Sequence, residues 1–266
     1  MFNDDSGRRD FDRNAFDNNR DFGVGMHGGN RMVLEEYSGE LETRSALYLA
    51  KVMGWMCVGL LTTVVAAMAV FSVDALYFMI LGSGSGFMLI IVAQFALVLI
   101  LSAGIGKLSP GTATVLFMLY SALTGLTLSV FVIVFDLASL LLAFSVTTIM
   151  FLTMAIYGAV TKKDLTSIGR LAFFGLIGII VAGIANWFLG SSMLDFAITV
   201  IGVVVFIGLI AYDTQKIKNI YQSHTVGGYD EYSDEVRKLA IIGALTLYLD
   251  FINLFIMLLR LLGRRR

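Results

Sequence analysis

The stretch from Thr112 to Val134, TATVLFMLYSALTGLTLSVFVIV, contains no charged residue. Phe135 and Asp136 follow, and residues 137–159, LASLLLAFSVTTIMFLTMAIYGA, are again uncharged. A bilayer's hydrocarbon core needs roughly 20 consecutive apolar residues in a helix. Backbone groups in lipid have no water to bond, so a spanning segment must satisfy them within itself, as a helix does. Two such runs with a minimal connection read as two successive membrane crossings.

The same reading extends outward. Hydropathy places spans at about 52–73, 86–106, 112–134, 137–159, 170–190, 195–213 and 239–262. The chain is therefore expected to be an all-α, polytopic integral membrane protein with about seven transmembrane helices. Its composition agrees: 58% of residues are hydrophobic and 15% charged, with a mean hydropathy of +0.83. Soluble domains carry about 45–50% apolar and about 25% charged residues, so a soluble enzyme is excluded. A net charge of −1 gives no reason to expect nucleic acid. Cys57 is the single cysteine, so no intrachain disulfide forms and a metal cluster is not expected.

Residues 1–44 differ in composition. Both charge signs alternate there with Asn, Gly and scattered Phe, and apolar residues are too few to offset the entropy of ordering. A disordered cytoplasmic tail is the expectation, with the transmembrane domain at 45–266. The tail has no apolar core of a signal peptide, so the first span also has to serve as the targeting signal. The Gly82–Gly86 run lacks the Gly-Lys-Ser/Thr ending of a phosphate loop and reads as a connector. Pro110 sits in Lys107-Leu108-Ser109-Pro110-Gly111, a tight turn between spans two and three. Small residues four apart are expected to let helices approach closely: Ser121, Gly125 and Ser129 on the third span, Gly178, Ala182 and Asn186 on the fifth.

Lysine and arginine fall at alternate connections. Lys107 lies between spans two and three, Lys162 and Lys163 between four and five, and Lys216, Lys218, Arg237 and Lys238 between six and seven. Connections one–two, three–four and five–six have none, which puts the N-terminus in the cytoplasm. Seven full crossings would leave Arg260, Arg264, Arg265 and Arg266 outside, against the rule. A last segment that turns back is the alternative, and full crossing is the favoured reading.

Two acids stand apart from the loop carboxylates. Asp213 closes span six, and Asp250 lies about a dozen residues into the last one. An ionised aspartate at bilayer depth costs roughly 2.5–3.5 kcal/mol on insertion scales, so it usually faces a bundle interior with a partner. Asn253 shares a helix face with Asp250, and Gln94 is a further polar candidate for that interior. If Asp213 and Asp250 meet, they cannot both ionise easily and would hold one proton between them. Such a pair could sense pH and, deprotonated, bind a cation; hydrogen bonding to neighbouring helices or headgroup water is the alternative. Spacing leaves both readings open. No nucleophile–base arrangement accompanies these acids, so the chain is not read as an enzyme.

Tyr212-Asp213-Thr214-Gln215 and Leu245-Thr246-Leu247-Tyr248-Leu249-Asp250-Phe251-Ile252-Asn253-Leu254-Phe255 resemble the last two helices of the Bax inhibitor-1 family, whose bacterial branch is the nearer match. Tyr157-Gly158, Thr161-Lys162-Lys163-Asp164-Leu165, Asn186, Trp55-Met56 and Leu119–Ser129 also resemble it. The likeness runs from about Leu47 to Gly263. It implies six helices around a central seventh, in a bacterial inner membrane. It further implies a proton-sensitive calcium leak in which the aspartates at Asp213 and Asp250 are sensor, ion pathway and tentative calcium ligands, with no cofactor. The family's arginine latch on the second helix has no counterpart here, and Lys107 is the candidate substitute. A lysine cannot make the same bidentate clamp. The alternative function is a regulatory membrane protein that acts by binding another protein, as relatives linked to a membrane-anchored protease or to cell death do, with the tail as its contact.

Overall fold

A computed structural model describes residues 22–82, 84–104, 107–226 and 233–264. Its helices are α1 (Phe22–Ser72), a short α2 (Asp74–Tyr77) continued by a π turn (Phe78–Gly82), α3 (Gly84–Gly104), α4 (Pro110–Val134), α5 (Leu137–Val160), α6 (Thr166–Leu189), α7 (Ser192–Val226) and α8 (Asp234–Leu262). Among the described residues seven helices, all but α2, are long and apolar enough to cross a membrane. Internal contacts divide the chain into Met1–Arg44 and Ser45–Arg266.

In the first unit the expectation of disorder for residues 1–21 lies outside the described residues. From Phe22 the chain is helical rather than disordered. Once a helix is nucleated, each further residue adds a hydrogen bond at little cost, and Arg44 pairs with Glu40 at 2.8 Å, one turn apart. The side chains from Glu36 to Glu40 are exposed, so packing does not hold this stretch.

In the second unit the helix starts follow local chemistry. Ser109 accepts a hydrogen bond from Thr112 N–H at 3.1 Å, with Pro110 at the first helical position. Asp136 accepts from Ser139 N–H at 2.9 Å, and Ser233 from Val236 N–H at 3.4 Å. Gly190 ends α6 with φ of 60°, a conformation that glycine adopts without penalty. The Gly82–Gly86 run is only partly a connector, since α3 begins at Gly84.

Helix α8 is the centre of the bundle. Of its membrane-length window 56% is buried, against 17% to 33% for the other six. It packs on α4, α5 and α7, with Ala244, Leu247, Tyr248 and Leu254 fully enclosed. The six-around-one arrangement implied by the family resemblance is therefore present. The α4 stripe packs as its spacing predicts: Ser121, Gly125 and Ser129 are buried, and Gly125 meets the Thr63 backbone of α1. On α6 the expectation fails at Gly178, although Ala182 packs against the core. A side chain at Gly178 would meet nothing within 4 Å, and the buried face is Gly169, Ala172 and Ile179. Alpha-6 lies at the periphery and presents a narrower face inward than its small residues suggested.

The last helix does not turn back: it is continuous from Asp234 to Leu262. Arg264 N–H donates to Ser139 Oγ at 2.9 Å, and Arg260 lies 3.7 Å from Asp195. The end of α8 thus meets the starts of α5 and α7, at the opposite end of the bundle from Lys162 and Lys163.

Candidate functional site

Asp213 does not end its helix, as the sequence suggested. Helix α7 runs on to Val226, because residues after Asp213 still present an apolar face: Ile217 and Tyr221 are buried while Lys216 and Asn219 are exposed. Asp213 therefore sits within a continuous helix, beside the most enclosed part of α8. There it lines one groove with Asp250, which is 5% exposed. Oδ2 of Asp250 finds no N–H or O–H donor among the described residues.

Two cavities flank the pair. One of about 250 Å³ lies toward the Val226 end of α7, between Tyr48, Ile220, Leu239 and Gly243, and reaches Asp213, Lys216 and Thr246. The other, about 510 Å³, is a lateral groove between α6, α7 and α8 that contains both aspartates. Beyond Asp250, toward the opposite end of the bundle, Leu254, Leu258 and Leu259 are buried. The smaller cavity reaches Asp213 from the Val226 end of α7, and the larger reaches both aspartates from the side.

The loop before α6 is held against α7 by one side chain. Gln215 accepts from Leu165 N–H at 2.9 Å and donates to the carbonyls of Lys163 at 2.8 Å and Thr161 at 3.5 Å. Lys218 donates to Ala159 O at 2.9 Å, next to the same loop. Gly158 of α5 lies directly against the Ala211 carbonyl, where a side chain would collide with backbone. In the exposed loop Asp164 accepts from Thr166 Oγ1 at 2.6 Å and from Thr166 N–H at 2.9 Å. These bonds hold its carboxyl below the usual carboxylate range.

A profile described as "Inhibitor of apoptosis-promoting Bax1" matches residues 45–266. The chain belongs to the Bax inhibitor-1 family. It is 50% identical over 219 residues to "Inner membrane protein YbhL" of Escherichia coli (strain K12), covering 82% of this chain and 92% of that one. It is 43% identical over 219 residues to an uncharacterized protein of Rickettsia prowazekii (82% and 90% covered) and 42% to one of Borreliella burgdorferi (82% and 92%).

The remaining sequence candidates separate in space. Asn253 lines the groove with the aspartates, its Nδ2 donating to Leu249 O at 2.9 Å. Gln94 does not join them. It bonds Thr124 Oγ1 at 3.2 Å and Thr127 Oγ1 at 3.3 Å, tying α3 to α4. Lys107 is exposed in the α3–α4 connection and lines neither cavity. Lys216 is the basic residue that lines both cavities with Asp213. Sequence reading took Lys216 as a loop charge and passed over Thr246. Their signal was the spacing: Lys216 follows Asp213 by three residues and Thr246 precedes Asp250 by four, each on its neighbour's helix face.

No group of three or more His, Cys, Asp or Glu suited to a metal occurs among the described residues.

Proposed function

We propose that the protein is a pH-sensitive cation leak of the inner membrane, with calcium as the transported ion and the Asp213–Asp250 contact as sensor and ion pathway. The observation that carries this reading is that two acids, from α7 and α8, line one groove of an apolar bundle, with a second cavity reaching Asp213. While the pair shares a proton it carries one negative charge spread over both carboxyl groups, and α8 remains packed on α7. Loss of that proton places two like charges side by side, where their repulsion drives the helices apart and a cation offsets it. Leu254, Leu258 and Leu259 are buried beyond Asp250, so opening requires movement at that end.

The N-terminal end and the α5–α6 loop face the cytoplasm in this reading. Lys162, Lys163, Lys216 and Lys218 support it, since basic residues favour that side. Arg260 and Arg264 at the other end oppose it, and Asp195 beside Arg260 reduces their weight. The inner-membrane location is supported by the name of the Escherichia coli relative.

Calcium uptake into proteoliposomes, measured across pH, tests the reading. Asp213→Asn and Asp250→Asn should each abolish the pH dependence, and the double variant should be little worse than either alone, as residues acting as a unit behave. A normal pH response in either single variant overturns the proposal, and additive losses would mean two separate roles.

A further inference from the structure

The 510 Å³ groove between α6, α7 and α8 changes chemistry along its length. Near the α5–α6 loop its rim carries Arg170 of α6 and Lys216 of α7, both exposed, with the Lys216 ammonium 5.8 Å from the Tyr212 ring centre. Among the described residues neither cation forms an ion pair with a carboxylate within 4.0 Å. Deeper along α6 the wall becomes Phe173, Phe174 and Leu176, and Phe206 and Leu209 continue it on α7. Phe173 and Phe174 are 57% and 69% exposed on a peripheral helix, so they face acyl chains rather than protein.

The rise of a helix sets the distances. Arg170 precedes Phe174 by four residues, about 6 Å at 1.5 Å per residue, and Lys216 follows Leu209 by seven, about 10 Å. Two cations at headgroup level therefore lead within one or two turns to an apolar wall at acyl depth. An inorganic anion would leave that wall unused, and a lipid without net charge would gain less from the rim. A basic pocket between membrane helices fits an acidic headgroup. Asp213 and Asp250 line the α7–α8 side of the same groove, so a phosphate is drawn to the Arg170 side, away from both carboxylates.

We propose that this groove is a binding site for one anionic phospholipid, its phosphate held by Arg170 and Lys216 and an acyl chain lying along Phe173, Phe174 and Leu176. The bound lipid covers the lateral face of the aspartate pair and leaves the 250 Å³ cavity as its aqueous approach. It also draws the Lys216 charge away from Asp213. Binding does not depend on any ion crossing the protein, so the lipid site and the leak can fail separately.

Native mass spectrometry of the full chain in a neutral detergent, titrated with phosphatidylglycerol or phosphatidylcholine of identical chains, tests the site. Phosphatidylglycerol should bind at least about fivefold more tightly. Arg170→Gln and Lys216→Gln should each weaken it by about fivefold, the size of one basic residue acting on an anionic lipid, and leave phosphatidylcholine unchanged. Lys162→Gln removes a charge from the same end outside the groove and should have no effect. Leu176→Trp, which narrows the groove, should weaken both lipids. Equal binding of the two lipids, unchanged binding in both charge variants, or an equal loss in Lys162→Gln overturns the proposal. Displacement of the lipid by an equal concentration of inorganic phosphate overturns it as well.

Discussion

Gln215→Glu is isosteric, yet it should destabilise the protein in a pH-dependent way. The amide of Gln215 makes three bonds to the α5–α6 loop: it accepts from Leu165 N–H and donates to the carbonyls of Lys163 and Thr161. The side chain is buried, so water does not readily replace these partners. Glutamate keeps the bond from Leu165 N–H and sets a second oxygen against two carbonyl oxygens. The 2.8 Å bond to Lys163 is lost outright, and the 3.5 Å bond to Thr161 contributes little. A lost bond contributes about 1 kcal/mol, and a buried acceptor left without its donor costs about 1–3 kcal/mol. The sum is about 2–3 kcal/mol once relief by water at the loop edge is allowed for. For a chain of this size about 2–4 °C corresponds to each kcal/mol, so thermal unfolding in detergent at pH 7.5 should fall by about 4–12 °C. A protonated glutamic acid can again donate to Lys163 O, so the deficit should narrow as the pH is lowered to about 5. Gln215→Ala should be destabilised to a similar degree at both pH values. Wild-type stability of Gln215→Glu at pH 7.5, or a deficit that does not change with pH, would refute the claim that this side chain holds the loop on α7.

Other expectations follow from the same geometry. Gly158→Ala places a methyl group against the Ala211 carbonyl, which is backbone and cannot rotate away; overpacking of this kind costs about 1–3 kcal/mol, measurable by thermal unfolding. Because Ala211 precedes Asp213 by two residues, calcium flux in that variant should also lose its normal pH midpoint. Lys107→Ala should leave both the flux and its pH profile unchanged, since Lys107 lines neither cavity. Cysteines introduced near Lys163 or Lys218 should be protected from an impermeant reagent in intact cells, whereas one after Arg264 should be labelled; the reverse pattern would invert the proposed orientation.

Sequence alone determined the crossings, because membrane helices obey a solvent rule that acts on each segment separately. Runs such as 112–134 and 137–159 are helical and spanning whatever their neighbours do, since lipid offers the backbone no other partner. The two carboxylates were legible for the same reason: Asp250 stands out against an apolar background where a charge is costly. Tertiary structure decided everything that depends on which face meets which neighbour. Spacing gave α6 a small-residue stripe through Gly178, but the helix buries Gly169 and Ala172 instead, since only the positions of α7 and α8 select its inner face. Gln94 and Asp250 looked alike as polar residues within spans, and the fold sent one to α4 and the other to α7. Span six was read as ending at Asp213, because hydropathy falls there. The helix continues because burial of Ile217 and Tyr221 against the bundle outweighs the polarity between them. Hydropathy averages over a helix's circumference and reports the surrounding solvent, whereas a site is made by side chains on one face of one helix meeting those of another.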